Sequence, residues 1–498
     1  MVGDLDSAPL EQRIAVLEQN HLRWVSPANL FVYEYDWTPD GRGFVGTAAP
    51  GDGDKNWWVA RLCAFNREGV QPRVLYWPDS AQQQLAMPKV SRDGKHVAFI
   101  AGLMSDFGVT GGDVYTVPLL GGAAIAVTPR PGASVTAIHW SCRGQLQAAV
   151  LAGAQTQLVD FGSGATATAG TVLWQGQEFI GPARAYSAAD CPASTVALVH
   201  QTFNQPAEIA IGTIGKWHDL TQANAGLATE FKVQSLGWKS GQFSVQGWLI
   251  LPEAASAGSR PPGSRPPLIT VVHGGPASAF EPRFIGASPW HALLAHGYAL
   301  FMPNPRGSYG EGEAFVAANV RDFGHGDLDD ILAGVDAVAA LGLTDPERVG
   351  ITGHSYGGFM TMWAVTQTDR FKAAVAGAGI SNWQSYYGQN GIDEWMVRSL
   401  AHRCTTIRRC TPGLRPSISS GRCARQPSAM SGRRILNESY EAAADPSVNF
   451  QAQSTAITST GMNAAKTQNA AALAALNEMP SASPEELATM PAAAVPTA

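Results

Sequence analysis

Gly353-His354-Ser355-Tyr356-Gly357 is the stretch of this chain whose residue types and spacing are suited to covalent chemistry. A serine hydroxyl is a latent nucleophile. It becomes useful when the backbone holds it out toward a substrate and a neighbouring base takes its proton. Before the pentapeptide lies a short apolar strand, Val349-Gly350-Ile351-Thr352, and after it an apolar helix around Phe359 and Met360. Strand, glycine-crowded turn and helix together have the form of a nucleophile elbow, with the serine on a strained turn above a sheet. Gly353 and Gly357 are small because side chains there would collide with the neighbouring strand and helix. A helix starting right after the serine also aims its first N–H groups at a developing oxyanion. The pentapeptide alone fits an incidental glycine turn as well; the flanking strand and helix decide for the elbow.

The elements that must position this serine occupy the second half of the chain. Gln246–Pro252 is an opening strand, and 254–267 is an exposed loop rich in Ala, Ser, Gly, Arg and Pro. Leu268-Ile269-Thr270-Val271-Val272 is nearly continuously apolar, as a strand buried on both faces must be. It runs into His273-Gly274-Gly275-Pro276. Helical and strand segments then alternate at 290–296, 299–303, 327–341, 349–352, 359–368 and 373–376. That alternation predicts a doubly wound parallel sheet with its site at the C-terminal ends of the strands. In an α/β-hydrolase a glycine-rich loop in the place of His273-Gly274-Gly275 supplies the second oxyanion N–H, and His273 is expected to stabilise that loop instead of acting as base.

The first half has short β-rich runs. An amphipathic stretch around Leu10, Ile14 and Leu17 precedes Thr38-Pro39-Asp40-Gly41, and related turns start at Ser91, Ser141 and Ser187, roughly every 50 residues. The period predicts a β-propeller with about four visible blades, and regular hairpins of a β-sandwich are the alternative. We place the propeller-like part at 1–235, the hydrolase part at 236–395 and an aberrant, disordered tail at 396–498.

The motifs His273-Gly274-Gly275-Pro276, Asn304-Pro305-Arg306-Gly307-Ser308-Tyr309-Gly310, Asp345-Pro346-Glu347-Arg348-Val349-Gly350 and Gly353–Met360 together resemble the prolyl oligopeptidase family of serine peptidases, above all its acylaminoacyl-peptidase and dipeptidyl-peptidase-like branches. The resemblance covers 246 to about 395. It implies a propeller that admits short peptides, Ser355 as nucleophile and the Tyr356 N–H as one oxyanion donor. Family propellers have more blades, so the resemblance also implies one cut short at its N-terminus.

The fold requires the chain order Ser, Asp, His, yet the only histidine after Ser355 is His402. From Trp395 to Asn437 there are nine Arg, three of the six Cys and no Asp or Glu. Codons compatible with Cys404–Arg422, read one frame over, permit Tyr-Asp-Asp-Pro-Ala-Val-Tyr-Ala-Arg-Ser-Ser-Pro-Ile-Asn-Phe, similar to what the family carries at this distance. We therefore expect a frameshift after about Met396, with the triad Asp and His missing and Ser355 inactive. An edge of the sheet would then be uncovered. A non-catalytic peptide-binding remnant and an esterase on the same fold are the alternatives.

Composition agrees with a globular protein: 498 residues, 45% hydrophobic, 15% charged, net charge −6. It carries no sign of nucleic-acid or membrane binding, and no cysteine or histidine spacing points to a metal or cofactor. The N-terminus has no basic and apolar leader pattern, which places the sequence as written in the cytoplasm unless a signal was lost with missing blades.

Overall fold

The Thr/Ser-initiated turns of the first half open successive antiparallel sheets. Thr38 accepts from the Gly43 N–H (2.9 Å) and donates to Asp40 (2.6 Å), and Ser91 accepts from His96 N–H (2.9 Å) and donates to Asp93 (2.7 Å). Ser141 accepts from the Gln145 N–H at 3.0 Å. In each, a glycine takes the left-handed conformation that closes the turn: Gly41 at φ 67°, Gly94 at 69° and Gly144 at 73°. The turns join Leu30–Trp37 to Gly43–Pro50, Gln84–Val90 to His96–Gly102, and Ser134–Trp140 to Leu146–Ala152. Short hydroxyl and carboxylate side chains satisfy the turn N–H groups, and the alternating apolar residues on either side form the hairpin.

The computed structural model describes residues 12–400 and 435–438, apart from 52–53, 70, 129–131, 165, 167–168, 181–185, 189–194 and 254–263. Its first half holds sheets spanning 30–76, 84–126 and 134–176, each of four strands, and a five-stranded sheet at 179–219. In the first three, chain neighbours are spatial neighbours. The fourth turn begins at Ser187 in the strand Tyr186–Ala188, and its continuation lies outside the described residues. The amphipathic stretch ends as a hairpin of Ala15–Glu18 and His21–Trp24, turned at Gln19 and Asn20 (φ 47° and 66°).

The second half is built on a seven-stranded sheet. Its strands are β1 (Lys232–Ser240), β2 (Phe243–Leu251), β3 (Pro267–Val272), β4 (Ala299–Asn304), β5 (Asp345–His354), β6 (Ala373–Gly377) and β7 (Ile435–Glu438). Their order is β1-β2-β4-β3-β5-β6-β7, parallel from β4 onward and antiparallel for β1 and β2. The helices are α1 (Trp290–Ala295), α2 (Glu313–Val316), α3 (Gly326–Ala340), α4 (Tyr356–Gln367), α5 (Trp383–Gln389) and α6 (Asp393–Leu400). Leu249, Phe301 and Ile351 of the sheet are buried against Ile331 and Val335 of α3 and Phe359 and Ala364 of α4. Burying a side chain of this size stabilises by about 1.5–3 kcal/mol each, which is why these inward positions are apolar.

Two expected boundaries move. The division at 235/236 falls inside β1, whose pairing with β2 from Lys232 onward assigns it to the seven-stranded sheet. The division at 395/396 falls inside α6, where Met396 and Leu400 are buried. β6 pairs in parallel with β7, Ala374 opposite Ile435, so that the edge of the sheet on this side is β7. The frame-shifted reading of 401–434 and the rest of the tail, 439–498, lie outside the described residues.

One loop ties the halves together. Tyr309, after β4, is fully buried and donates its hydroxyl to Val109 O (3.0 Å), with its ring packed on Gly111. Next to it the Gly310 N–H donates to Ser134 Oγ (3.1 Å), and Gly310 O accepts from the Gly153 N–H (2.8 Å). Glu313 accepts from the Leu103 N–H at 3.1 Å. Replacing Tyr309 by Ala opens a cavity here and is expected to cost about 3–5 kcal/mol. Urea unfolding of the two proteins checks this, and a loss below about 1 kcal/mol would mean the ring is not an anchor.

Candidate active site

Ser355 sits between the C-terminal end of β5 and the first residue of α4, at φ 58° and ψ −118°. A serine in the left-handed half of backbone space is held there by its surroundings and not by preference. Those surroundings are backbone. A Cβ on Gly353 would lie 2.5 Å from the Gly357 carbonyl carbon and 2.6 Å from Val272 O, and one on Gly357 would fall on Val272 O. A Cβ on Gly358 would fall on Gly377 O. The turn is thus wedged between β3 and β6. The Ser355 N–H donates to Gly377 O at 3.0 Å, which fixes the pivot. Because Tyr356 opens α4, its N–H has no acceptor within the helix and points out of the helix end together with its dipole.

The loop after β3 lies beside this turn. A Cβ on Gly274 would stand 3.3 Å from His354 O and 4.0 Å from Ser355 Oγ, so the loop passes Ser355 at backbone contact. Gly275 follows at φ 122°. His273 is 9% exposed, with Nδ1 2.7 Å from Gly274 O and Nε2 2.9 Å from Ser308 Oγ. A carbonyl only accepts, so Nδ1 carries the proton and Nε2 accepts from the Ser308 hydroxyl. Burial pushes the imidazole down to about 4, and it stays neutral at physiological pH. Both ring nitrogens are therefore occupied in holding the loop to Ser308. Ser308 is held in turn by its own loop: Arg306 makes a two-pronged ion pair with the buried Asp330 of α3, at 2.9 Å from Nε and 2.7 Å from the terminal nitrogen.

The site's support includes a carboxylate that the sequence motifs did not single out. Asp327, in the first turn of α3, is completely buried and accepts from the Gly324 and Leu328 N–H groups, both at 2.9 Å, and from the Tyr356 hydroxyl. Burial pushes its carboxyl up to about 7, and the hydrogen bonds oppose that rise. Tyr356 therefore has its N–H at the elbow and its side chain tethered to α3, with its ring edge-on to Phe323 at 5.1 Å. Five acidic or apolar residues at the start of α3, Gly326-Asp327-Leu328-Asp329-Asp330, were the available signal; nothing in their pattern marks which aspartates face inward. Ser355, Tyr356, His273, Gly274 and Gly275 thus share one turn-and-loop cluster. Among the described residues no hydrogen bond reaches Ser355 Oγ, and no group of three or more His, Cys, Asp or Glu side chains is placed to hold a metal. His402 lies outside the described residues.

His273 gives the site a pH signature. Its folded pKa is depressed below the ordinary 6.5, so its contribution to stability is present above 6.5 and lost as pH falls through about 4. Unfolding free energy measured across this window should fall less in a His273→Gln variant than in the parent chain. Identical slopes would mean the imidazole is solvated.

Residues 288–404 match the profile of the prolyl oligopeptidase family, peptidase family S9. Over 149 residues the chain is 45% identical to the uncharacterized peptidase YuxL of Bacillus subtilis (strain 168), covering 30% of this chain and 22% of that protein. The acylamino-acid-releasing enzyme of Arabidopsis thaliana is 35% identical over 142 residues, covering 28% of this chain and 18% of its own length. The chain thus matches less than a quarter of each of these relatives. Among solved structures, Pyrococcus horikoshii acylaminoacyl peptidase superposes with a TM-score of 0.61 at 22% identity, over 80% of this chain and 59% of that one. A Mycobacterium tuberculosis puromycin-hydrolyzing peptidase superposes at 0.55 and 21% identity, over 82% and 71%. At these identities the likeness is one of fold, and it extends through the antiparallel sheets as well as the seven-stranded sheet. Residues 288–404 thus carry the sequence profile of the prolyl oligopeptidase family, in a chain whose fold is like that of acylaminoacyl peptidase.

Proposed function

We propose that this fold serves to hydrolyse short peptides through an acyl-enzyme at Ser355, and that the 498-residue chain performs the step poorly or not at all. The observation that supports the first half is the approach of Gly274 to Ser355 on a strained elbow. A peptide carbonyl attacked by Ser355 Oγ becomes a tetrahedral oxyanion. The Tyr356 N–H on one side and an N–H of the 273–275 loop on the other are the donors for it. The antiparallel sheets, which we count as four propeller blades, stand as the filter that admits short peptides. Acylaminoacyl or dipeptidyl release is the substrate class the relatives' names suggest.

The second half rests on the base. An unassisted serine hydroxyl is a poor nucleophile near neutral pH. His273 is committed to Ser308 and Gly274, and His402 is the only histidine that follows Ser355. We read 396–437 as family sequence in the wrong frame, with the triad acid and base lost to it. Removal of triad members leaves a residual of roughly 10³–10⁴ over water, from binding and the oxyanion hole. Assays with acylaminoacyl and dipeptidyl anilides should therefore show turnover no better than this residual, and Ser355→Ala should abolish what there is. Turnover that survives Ser355→Ala would refute the nucleophile. Turnover at rates ordinary for an enzyme, about 1–10³ per second, would refute the missing base.

A further inference from the structure

A cavity of about 510 Å³ lies between the first antiparallel sheet and the end of α6, far along the chain from the elbow and sharing no residue with it. Trp58, Arg61, Trp77, Asp79 and Arg398 are among the residues that line it. The Arg61 guanidinium stacks 3.5 Å from the centre of the Trp77 ring, which is 57% exposed. Stacking of this kind holds the planar fork in one orientation while leaving its N–H edges free. The Arg61 Nε is buried and has no hydrogen-bond partner among the described residues, and no carboxylate there lies within 4.0 Å of its guanidinium. The indole Nε1 of Trp58, on a residue 5% exposed, is also buried without a partner among the described residues.

Other groups on the wall are already engaged. Arg398 donates from Nε to Trp58 O (2.9 Å) and lies 3.6 Å from Glu394, and burial lowers its pKa. Asp79 accepts from the Tyr76 hydroxyl at 3.2 Å. Among the described residues the Arg61 guanidinium is thus without an ion-pair partner, on a wall that also carries an exposed indole. A buried donor without a partner costs about 1–3 kcal/mol, and an arginine fork is matched by a planar two-oxygen anion. We propose that this cavity binds the carboxylate of a peptide, with the adjoining residue of the peptide laid against Trp77. The carboxylate follows from the Arg61 guanidinium, held in one orientation on Trp77, and the choice of a peptide rests on the family reading above.

The test measures binding of short peptides to the full-length chain by calorimetry. One peptide ends in a free acid, a second is its C-terminal amide, and a third is that amide with an internal glutamate. The proposal expects the acid to bind at least about tenfold more tightly than the plain amide, and Arg61→Gln to remove that difference. It expects Arg61→Lys, which keeps the charge without the fork, to recover part of it. If the glutamate-containing amide binds as well as the free acid, the pocket takes a side-chain carboxylate, and if it does not, the chain terminus. Ser355→Ala should leave binding unchanged, so failure of the peptidase reading would not be mistaken for failure here. Equal binding of acid and plain amide, no binding by any peptide, or an acid preference that survives in a folded Arg61→Gln protein would overturn the proposal.

Discussion

Backbone lying directly on backbone at Gly353 and Gly357 is the constraint on which the rest of the site depends. The strand β5 must turn into α4 with no room for a side chain against Val272 O, and this forces Ser355 into a conformation it would not choose. The strain is sustained because β3 and β6 fix the turn from both sides, through the Gly357 approach and the Ser355–Gly377 hydrogen bond. Everything else in the second half sets the position of one of those walls. The apolar run of β3 buries it beside β5, and the aromatic ring of Tyr356 locks α4 to Phe323 and Asp327.

A second chain of contacts carries this geometry into the antiparallel half. His273 holds the 273–275 loop to Ser308, Arg306 holds the Ser308 loop to Asp330, and Tyr309 plants the same loop among Leu103, Val109 and Gly111. Three consecutive functions are thus served within a few residues of one loop. His273 thus lies in a continuous run of contacts from the Ser355 turn to the antiparallel half.

Much of this was legible in the sequence, for specific reasons. Parallel strands buried on both faces must be apolar throughout, so Leu268–Val272 announces itself, and close backbone approach admits only glycine, so Gly353 and Gly357 do too. The Thr/Ser-Asp-Gly turns are local chemistry and recur visibly. Asp327 and Asp330 were not legible, because burial of an aspartate depends on partners dozens of residues away: Tyr356 for one, Arg306 for the other. The boundaries near 235 and 395 slipped because β1 is half-exposed and polar, and because α6 continues with a regular amphipathic face into sequence of basic composition. The sheet extends one strand past β6, to Ile435–Glu438, and its edge lies there.

Ser355 stands on a well-formed elbow, and we propose that it is a nucleophile without its base. Labelling of Ser355 by a fluorophosphonate probe, followed by mass spectrometry of the modified peptide, tests that combination most directly, since the probe reacts only with an activated serine. The account predicts little or no modification of Ser355 under conditions that label an intact serine hydrolase to completion. Prompt, stoichiometric modification at Ser355 would contradict it.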